Sequence, residues 1–134
     1  MSRRNRLWLC LPPLVMAPLD LGMTLLGQPP KYWGGYHIIR EGNPLAAELL
    51  ILHPAAFIAA GVAWLAFVMG LVTYIPRPAA LTISVAVSQA HAWAAGGWVP
   101  VLLPYPFTFL SVLFMANAAL IVLACERSRG QAGG

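Results

Sequence analysis

The sequence predicts an all-α fold: an integral membrane four-helix bundle with both termini in the cytoplasm. Hydrophobic residues make up 60% of the 134-residue chain and charged residues only 9%, and the mean hydropathy is +0.74. The apolar residues fall into four runs, each near or above the roughly 20 residues that span a bilayer. These runs and their connections fill the chain, so we expect residues 1–134 to form one four-span domain.

The first run covers residues 7–27. Three prolines lie within it: Pro12, Pro13 and Pro18. Because proline removes an intrahelical hydrogen bond, they predict a kink or a late helix start near Pro13. The arginine-rich segment at residues 3–6 resembles the start of a signal peptide, but no small-residue cleavage site follows. We therefore expect an uncleaved first helix.

The second run, residues 44–75, has a clear start signal. Asn43 is a favoured N-cap and Pro44 a favoured first helical residue. The apolar pattern then continues for roughly 31 residues, or about 46 Å of helix, more than the roughly 30 Å hydrocarbon core. A single helix of this length must tilt or extend into the interface, with a bend expected at Pro54.

The third and fourth runs are separated by a proline-rich connection. The third covers residues 79–98, and the glycine pair Gly96-Gly97 followed by Pro100 is expected to end it. Trp98 is then expected to anchor this end at the membrane interface. The fourth run covers residues 106–125.

Basic residues flank the four runs unevenly. A four-span topology places both termini and the turn between the second and third runs on one side of the membrane. That side carries six basic residues: Arg3, Arg4, Arg6, Arg77, Arg127 and Arg129. The other side carries Lys31 and Arg40. This asymmetry predicts an inner or plasma membrane protein with cytoplasmic termini. It also explains the net charge of +4 without a nucleic-acid partner.

Several polar residues lie inside or at the rim of these runs, where a charge at mid-bilayer costs about 2.5–3.5 kcal/mol. They are Asp20, Glu48, His53, His91 and Asn117. Asp20 and His91 both lie about 10 Å below the outer boundary, judged from the helical rise. Thr24 shares a helical face with Asp20, and Ser84 and Ser88 share one with His91. We therefore predict a polar outer-leaflet cavity in which Asp20 and His91 pair.

Three interpretations of the polar cluster stay open, with Asp20, Thr24, Glu48, His53 and His91 as its candidate residues. The cluster can be an interhelical hydrogen-bond network or the lining of a ligand cavity. It can be an acid–histidine pair that relays protons or orients a polar ligand. It can also be a divalent metal site formed by Asp20, His53 and His91. No metalloprotease or nucleophile motif is present, so we expect no cofactor, with a divalent metal as the alternative.

Five positions also form an ordered pattern. Asp20 and Thr24 lie in the first helix, and Glu41, Asn43 and Pro44 open the second. This pattern resembles a family of uncharacterised small membrane domains of bacteria and archaea over roughly residues 16–70. The resemblance implies that these five residues are the family's signature. It implies no activity, because none is assigned to that family.

These observations favour a membrane module that binds a small ligand, a lipid headgroup or a partner subunit, and they leave open whether it is an enzyme. One alternative is an intramembrane metal-dependent hydrolase. Another is a small transporter subunit that acts as an oligomer, since 134 residues would then need a second copy to complete an inverted-repeat pair. The expected partners are the lipid bilayer and either a second copy or another membrane subunit.

Overall fold

The computed structural model describes residues 6–129, so Arg3 and Arg4 of the orientation prediction lie outside the described residues. Within this part of the chain the all-α prediction is confirmed, because every regular element is helical. The five α-helices are α1 (Leu11–Leu26), α2 (Pro44–Leu52), α3 (Pro54–Tyr74), α4 (Arg77–Leu102) and α5 (Pro106–Arg129). Short 3-10 turns at Trp8–Cys10 and Pro30–Gly34 precede α1 and α2.

Three helical segments of the described chain are long and apolar enough to cross a membrane. They are Trp8–Leu26, Pro54–Tyr74 and Pro106–Arg129. α4 has 26 residues and is therefore also long enough, at about 39 Å. It is less apolar than the other three because serine, glutamine, histidine and glycine residues interrupt it.

α4 lies at the centre of the molecule. It packs most extensively against α1 and also contacts α3 and α5. Its buried face consists largely of small residues at helical spacing: Ala80, Ser84, Ser88, Ala92 and Ala95. Small side chains allow helix backbones to approach closely within a membrane. The serines of α4 are thus buried against neighbouring helices.

The predicted single helix over residues 44–75 is in fact two helices, which meet at His53. His53 has an extended backbone, with φ −178° and ψ 143°. Its Nδ1 atom accepts a hydrogen bond of 3.0 Å from the Ala55 amide, so His53 is the N-cap of α3. Pro54 then occupies the first helical position, which suits proline. The expected bend at Pro54 is therefore a complete break.

Tyr32 compensates for this break. Pro54 has no N–H to offer the Leu50 carbonyl four residues earlier, and the Tyr32 hydroxyl donates to that carbonyl at 3.0 Å. The Tyr32 side chain is fully buried. Burial, with a smaller contribution from neighbouring Tyr36, raises the pKa of Tyr32 above its usual value. The hydroxyl thus remains a donor and holds the loop before α2 against the helix break.

Two other boundaries also bear on the predictions. α1 begins at Leu11 with prolines in its first turn, but the chain is already helical from Arg6 to Cys10, so the prolines do not delay the helix start. α4 continues past its predicted end to Leu102 and contains Pro100. Gly96 and Gly97 do not stop it. A side chain at Gly96 would press on Leu110, since a Cβ there would lie 3.1 Å from Leu110 Cδ2, so this glycine serves the contact between α4 and α5.

One end of the molecule brings together the start of the described chain, the turn between α3 and α4, and the last turn of α5. Arg6 Nη1 donates to the Ile75 carbonyl at 2.9 Å. Arg77 Nη2 donates to Ser128 Oγ at 3.2 Å. These three basic segments are therefore neighbours.

Candidate functional site

A cavity of about 650 Å³ lies between α1, α2, α3 and α4 and is bordered at one end by residues 40–43. Along α4 it extends from His91 to Val101, about 15 Å by helical rise. Most of its wall is apolar, with Leu45, Leu49 and Phe57 among the lining residues. Its volume falls in the range of small-molecule sites. Its polar groups lie at two levels, a deep end and a rim.

Asp20 and His91 form the deep end. Asp20 Oδ2 lies 2.8 Å from His91 Nδ1, so the predicted pairing is confirmed. The two residues meet because α1 and α4 lie side by side along this length. Both side chains are mostly buried, yet both line the cavity.

The pairing also fixes what each group offers to the cavity. A carboxylate accepts hydrogen bonds, so an ionised Asp20 pairs with the form of His91 that carries a proton on Nδ1. A neutral imidazole then presents Nε2 as an acceptor. Among residues 6–129, Asp20 Oδ1 receives no hydrogen bond. With a neutral His91 ring the deep end therefore presents two acceptors, Asp20 Oδ1 and His91 Nε2, whereas a protonated ring presents Nε2 as a donor.

Thr24 lies one helical turn from Asp20 and also lines the cavity. The other polar residues of the predicted α4 face bond elsewhere. Ser84 donates to the Leu9 carbonyl, and Ser88 donates to Asn117 Oδ1. Asn117 is fully buried in α5. These contacts join α4 to the 3-10 turn before α1 and to α5, and they lie outside the cavity lining.

Arg40, Glu41 and Asn43 form the rim. Asn43 Oδ1 accepts from the Leu45 amide at 3.1 Å, which confirms Asn43 as the cap of α2. Glu41 Oε1 accepts from the Asn43 amide at 2.8 Å. Both side chains line the cavity. Pro44 starts α2 and does not line the cavity.

Gln28 holds the rim in place and was missed by sequence reasoning. Its Nε2 donates to the carbonyls of Thr24 at 2.9 Å and Arg40 at 3.0 Å. Its Oε1 accepts from the Arg40 amide at 2.9 Å. This buried amide therefore ties the rim to the end of α1. A single glutamine beside two prolines carries no sequence signal for such a role.

Trp98 was predicted as an interface anchor, but only 8% of it is exposed and it lines the cavity. Its ring packs on Gly27, where an added Cβ would overlap the Trp98 ring. The glycine at the end of α1 thus makes room for the indole. Trp64 lines the same cavity from α3.

Two candidate residues do not join the site. Glu48 is exposed on α2 and does not line the cavity. His53 is exposed and caps α3. Over residues 6–129, no three His, Cys, Asp or Glu side chains come together as metal ligands. The predicted metal set of Asp20, His53 and His91 is therefore not assembled, because the His53 ring accepts a hydrogen bond from the Ala55 amide at the helix break.

Four of the five residues behind the family resemblance line this one cavity: Asp20, Thr24, Glu41 and Asn43. In comparisons with family models, curated proteins and solved structures, the chain has no match. Function is therefore inferred from the residues of the cavity.

Proposed function

We propose that this chain is a four-span membrane protein that binds a small amphipathic molecule in its cavity, without catalysis. α1, α3, α4 and α5 are the four spans and both termini are cytoplasmic. In this orientation residues 40–43 and the cavity rim face the outer side. The cavity then lies in the outer leaflet.

The central position of α4 supports the fourth span. Its length suffices, and its serines and His91 are turned towards other helices rather than lipid. A helix shielded in this way tolerates polar side chains that a lipid-facing helix does not. The meeting of Arg6, Arg77 and the end of α5 at one end of the molecule supports a common, basic cytoplasmic side.

The distribution of polarity in the cavity carries the binding proposal. A polar rim and the Asp20–His91 pair are separated by apolar and aromatic walls. Pockets of this kind hold apolar ligand surface and use a few polar groups to orient it. Among residues 6–129 the His, Cys, Asp and Glu side chains assemble no metal set, so binding fits the cavity better than metal-dependent hydrolysis. A transporter subunit would use the same cavity to bind its cargo, so binding is the property to test first.

The test uses Trp98 as a reporter inside the cavity. A variant keeping only Trp98 is made by replacing the other four tryptophans with phenylalanine: Trp8, Trp33, Trp64 and Trp93. It is purified in an alkyl maltoside and titrated with the dibrominated form of that detergent, whose bromine atoms quench tryptophan fluorescence on contact. We expect strong quenching of Trp98, although only 8% of it is exposed.

Two controls separate cavity entry from surface contact. A variant keeping only Trp93, which is 77% exposed, should be quenched whether or not the cavity is occupied. Gly97 lines the cavity and a Cβ there meets no neighbour within 4 Å, so Gly97→Leu should fill part of the space and protect Trp98. Full protection of Trp98 without that substitution contradicts the proposal.

A further inference from the structure

Building on the proposed function, we infer that the cavity selects hydrophobic cations, molecules in which an ammonium or phosphonium centre is carried on an apolar body. Asp20 is the counter-ion and the aromatic wall holds the apolar groups. The inference concerns ligand charge, which the cavity's shape alone does not specify.

The rim carries two charged side chains of opposite sign. Glu41 accepts a backbone hydrogen bond at the start of α2, where the helix dipole favours a negative charge. The adjacent Arg40 also lines the rim. The carboxylate of Glu41 and the guanidinium of Arg40 have opposite charges, so the rim adds little net charge.

The deep end differs. Asp20 has only the imidazole of His91 as a hydrogen-bond donor, and the neutral form of that ring does not offset a negative charge. Asp20 Oδ1 is open to a largely apolar cavity. A buried charge is costly unless it is paired, so a cation placed beside Asp20 adds a counter-charge to the hydrogen bond that His91 supplies.

The walls suit the rest of such a ligand. Phe57, Trp64 and Trp98 line the cavity from α3 and α4. Aromatic faces attract cations, and tryptophan does so most strongly. An anion would meet the Asp20 carboxylate and the acceptor Nε2 of His91 instead. Anionic headgroups are thereby disfavoured at the deep end, although Arg40 could contact them at the rim.

Tetraphenylphosphonium and tetraphenylborate provide a matched pair of probes, with nearly the same shape and opposite charge. Each is titrated into the variant that keeps only Trp98, in a neutral maltoside at about pH 8, where a free imidazole is neutral. We expect a saturable change in Trp98 fluorescence with the cation, at least about tenfold tighter than with the anion.

Two charge-removing variants test the role of Asp20. Asp20→Asn preserves the shape and a hydrogen-bonding group beside His91, and it should weaken binding of the cation by about tenfold or more. Glu48→Gln removes the same charge from an exposed carboxylate outside the cavity and should leave binding unchanged. If Asp20→Asn folds poorly, the comparison of the two probes on the protein that retains Asp20 still tests the charge selectivity.

The outcomes also separate this inference from the function on which it depends. Equal binding of both probes, lost in Gly97→Leu, would retain an amphiphile cavity and overturn its charge selectivity. An equal effect of Asp20→Asn and Glu48→Gln would reduce the selectivity to general surface charge and also overturn it. No saturable change with either probe would overturn both proposals.

Discussion

Asp20 and His91 show how two costly residues become tolerable together. Each would be expensive alone inside an apolar helix, and each supplies the hydrogen-bonding partner that the other lacks, at 2.8 Å. Equal depth, counted in residues along the first and third apolar runs, sufficed to predict this contact. The sequence did not predict the role of His53 in the same way. Histidine is a common metal ligand, so His53 was a candidate for the metal site, but its position before Pro54 makes it the N-cap of α3.

The pair should be energetically coupled. Asp20→Leu strands His91, and His91→Leu strands Asp20, so the double variant should lose less stability than the sum of the two single losses. We expect a coupling of at least about 0.5 kcal/mol in the free energy of unfolding in detergent. Asp20→Leu combined with Glu48→Leu serves as the distant control and should be additive. Additivity for Asp20 and His91 as well would refute the pairing.

Gly27 should tolerate no side chain, unlike another glycine of the same segment. Gly27→Ala places a methyl group against the Trp98 ring and should destabilise the protein by about 1–3 kcal/mol through overpacking. Gly22→Ala is the matched control, because a Cβ at Gly22 meets nothing within 4 Å. Thermal unfolding in detergent compares the two, and similar midpoints would contradict this account of Trp98.

At the scale of the helices, local start signals were reliable and apolar runs were not. Asn43 and Pro44 start α2 as predicted, because a capping oxygen and a fixed φ act within a few residues. In the run after them Pro54 indicated a bend but not the complete break at His53, since leucine and alanine continue on both sides of it. The hydrogen bond from Tyr32 to Leu50, 18 residues apart, satisfies the carbonyl that the break leaves without a helical donor. Periodicity cannot report such a contact.

The cap of α2 gives a direct test at this scale. Asn43→Ala removes the oxygen that accepts from the Leu45 amide and should cost about 0.5–2 kcal/mol of stability. Asn43→Ser retains a capping oxygen and should recover most of the loss. Unchanged thermal stability in Asn43→Ala would show that the cap contributes nothing measurable.

At the scale of the molecule, the cavity assembles residues from α1, α2, α3, α4 and the rim. The sequence predicted a polar outer site with Asp20, Thr24 and His91, because helical depth and face follow from counting residues. It did not predict Gln28, Arg40 or Trp98, whose roles depend on how the loop folds back onto α1. The spacing of residues along the chain does not indicate that this loop folds back onto α1.

The orientation is testable on the whole chain. A reporter that is active only in the cytoplasm should be active when it is fused after Gly134, because basic residues flank that end of the chain. The same reporter inserted after Gly34, in the loop between α1 and α2, should give the opposite reading. A periplasmic or extracellular signal from the first fusion would refute the four-span topology.

Thiol labelling in intact cells tests the outward-facing cavity most directly. Cys10 and Cys125 are first replaced by alanine, and a single cysteine is placed at Ala94 or at Ala90, four residues apart on α4. Ala94 lines the cavity, whereas Ala90 is exposed outside it. A thiol in hydrocarbon does not ionise and stays unreactive. A membrane-impermeant thiosulfonate added outside the cells should therefore modify Ala94→Cys and spare Ala90→Cys. Equal modification of both, or modification of Ala94→Cys only from the cytoplasmic side, would contradict an outer-leaflet cavity.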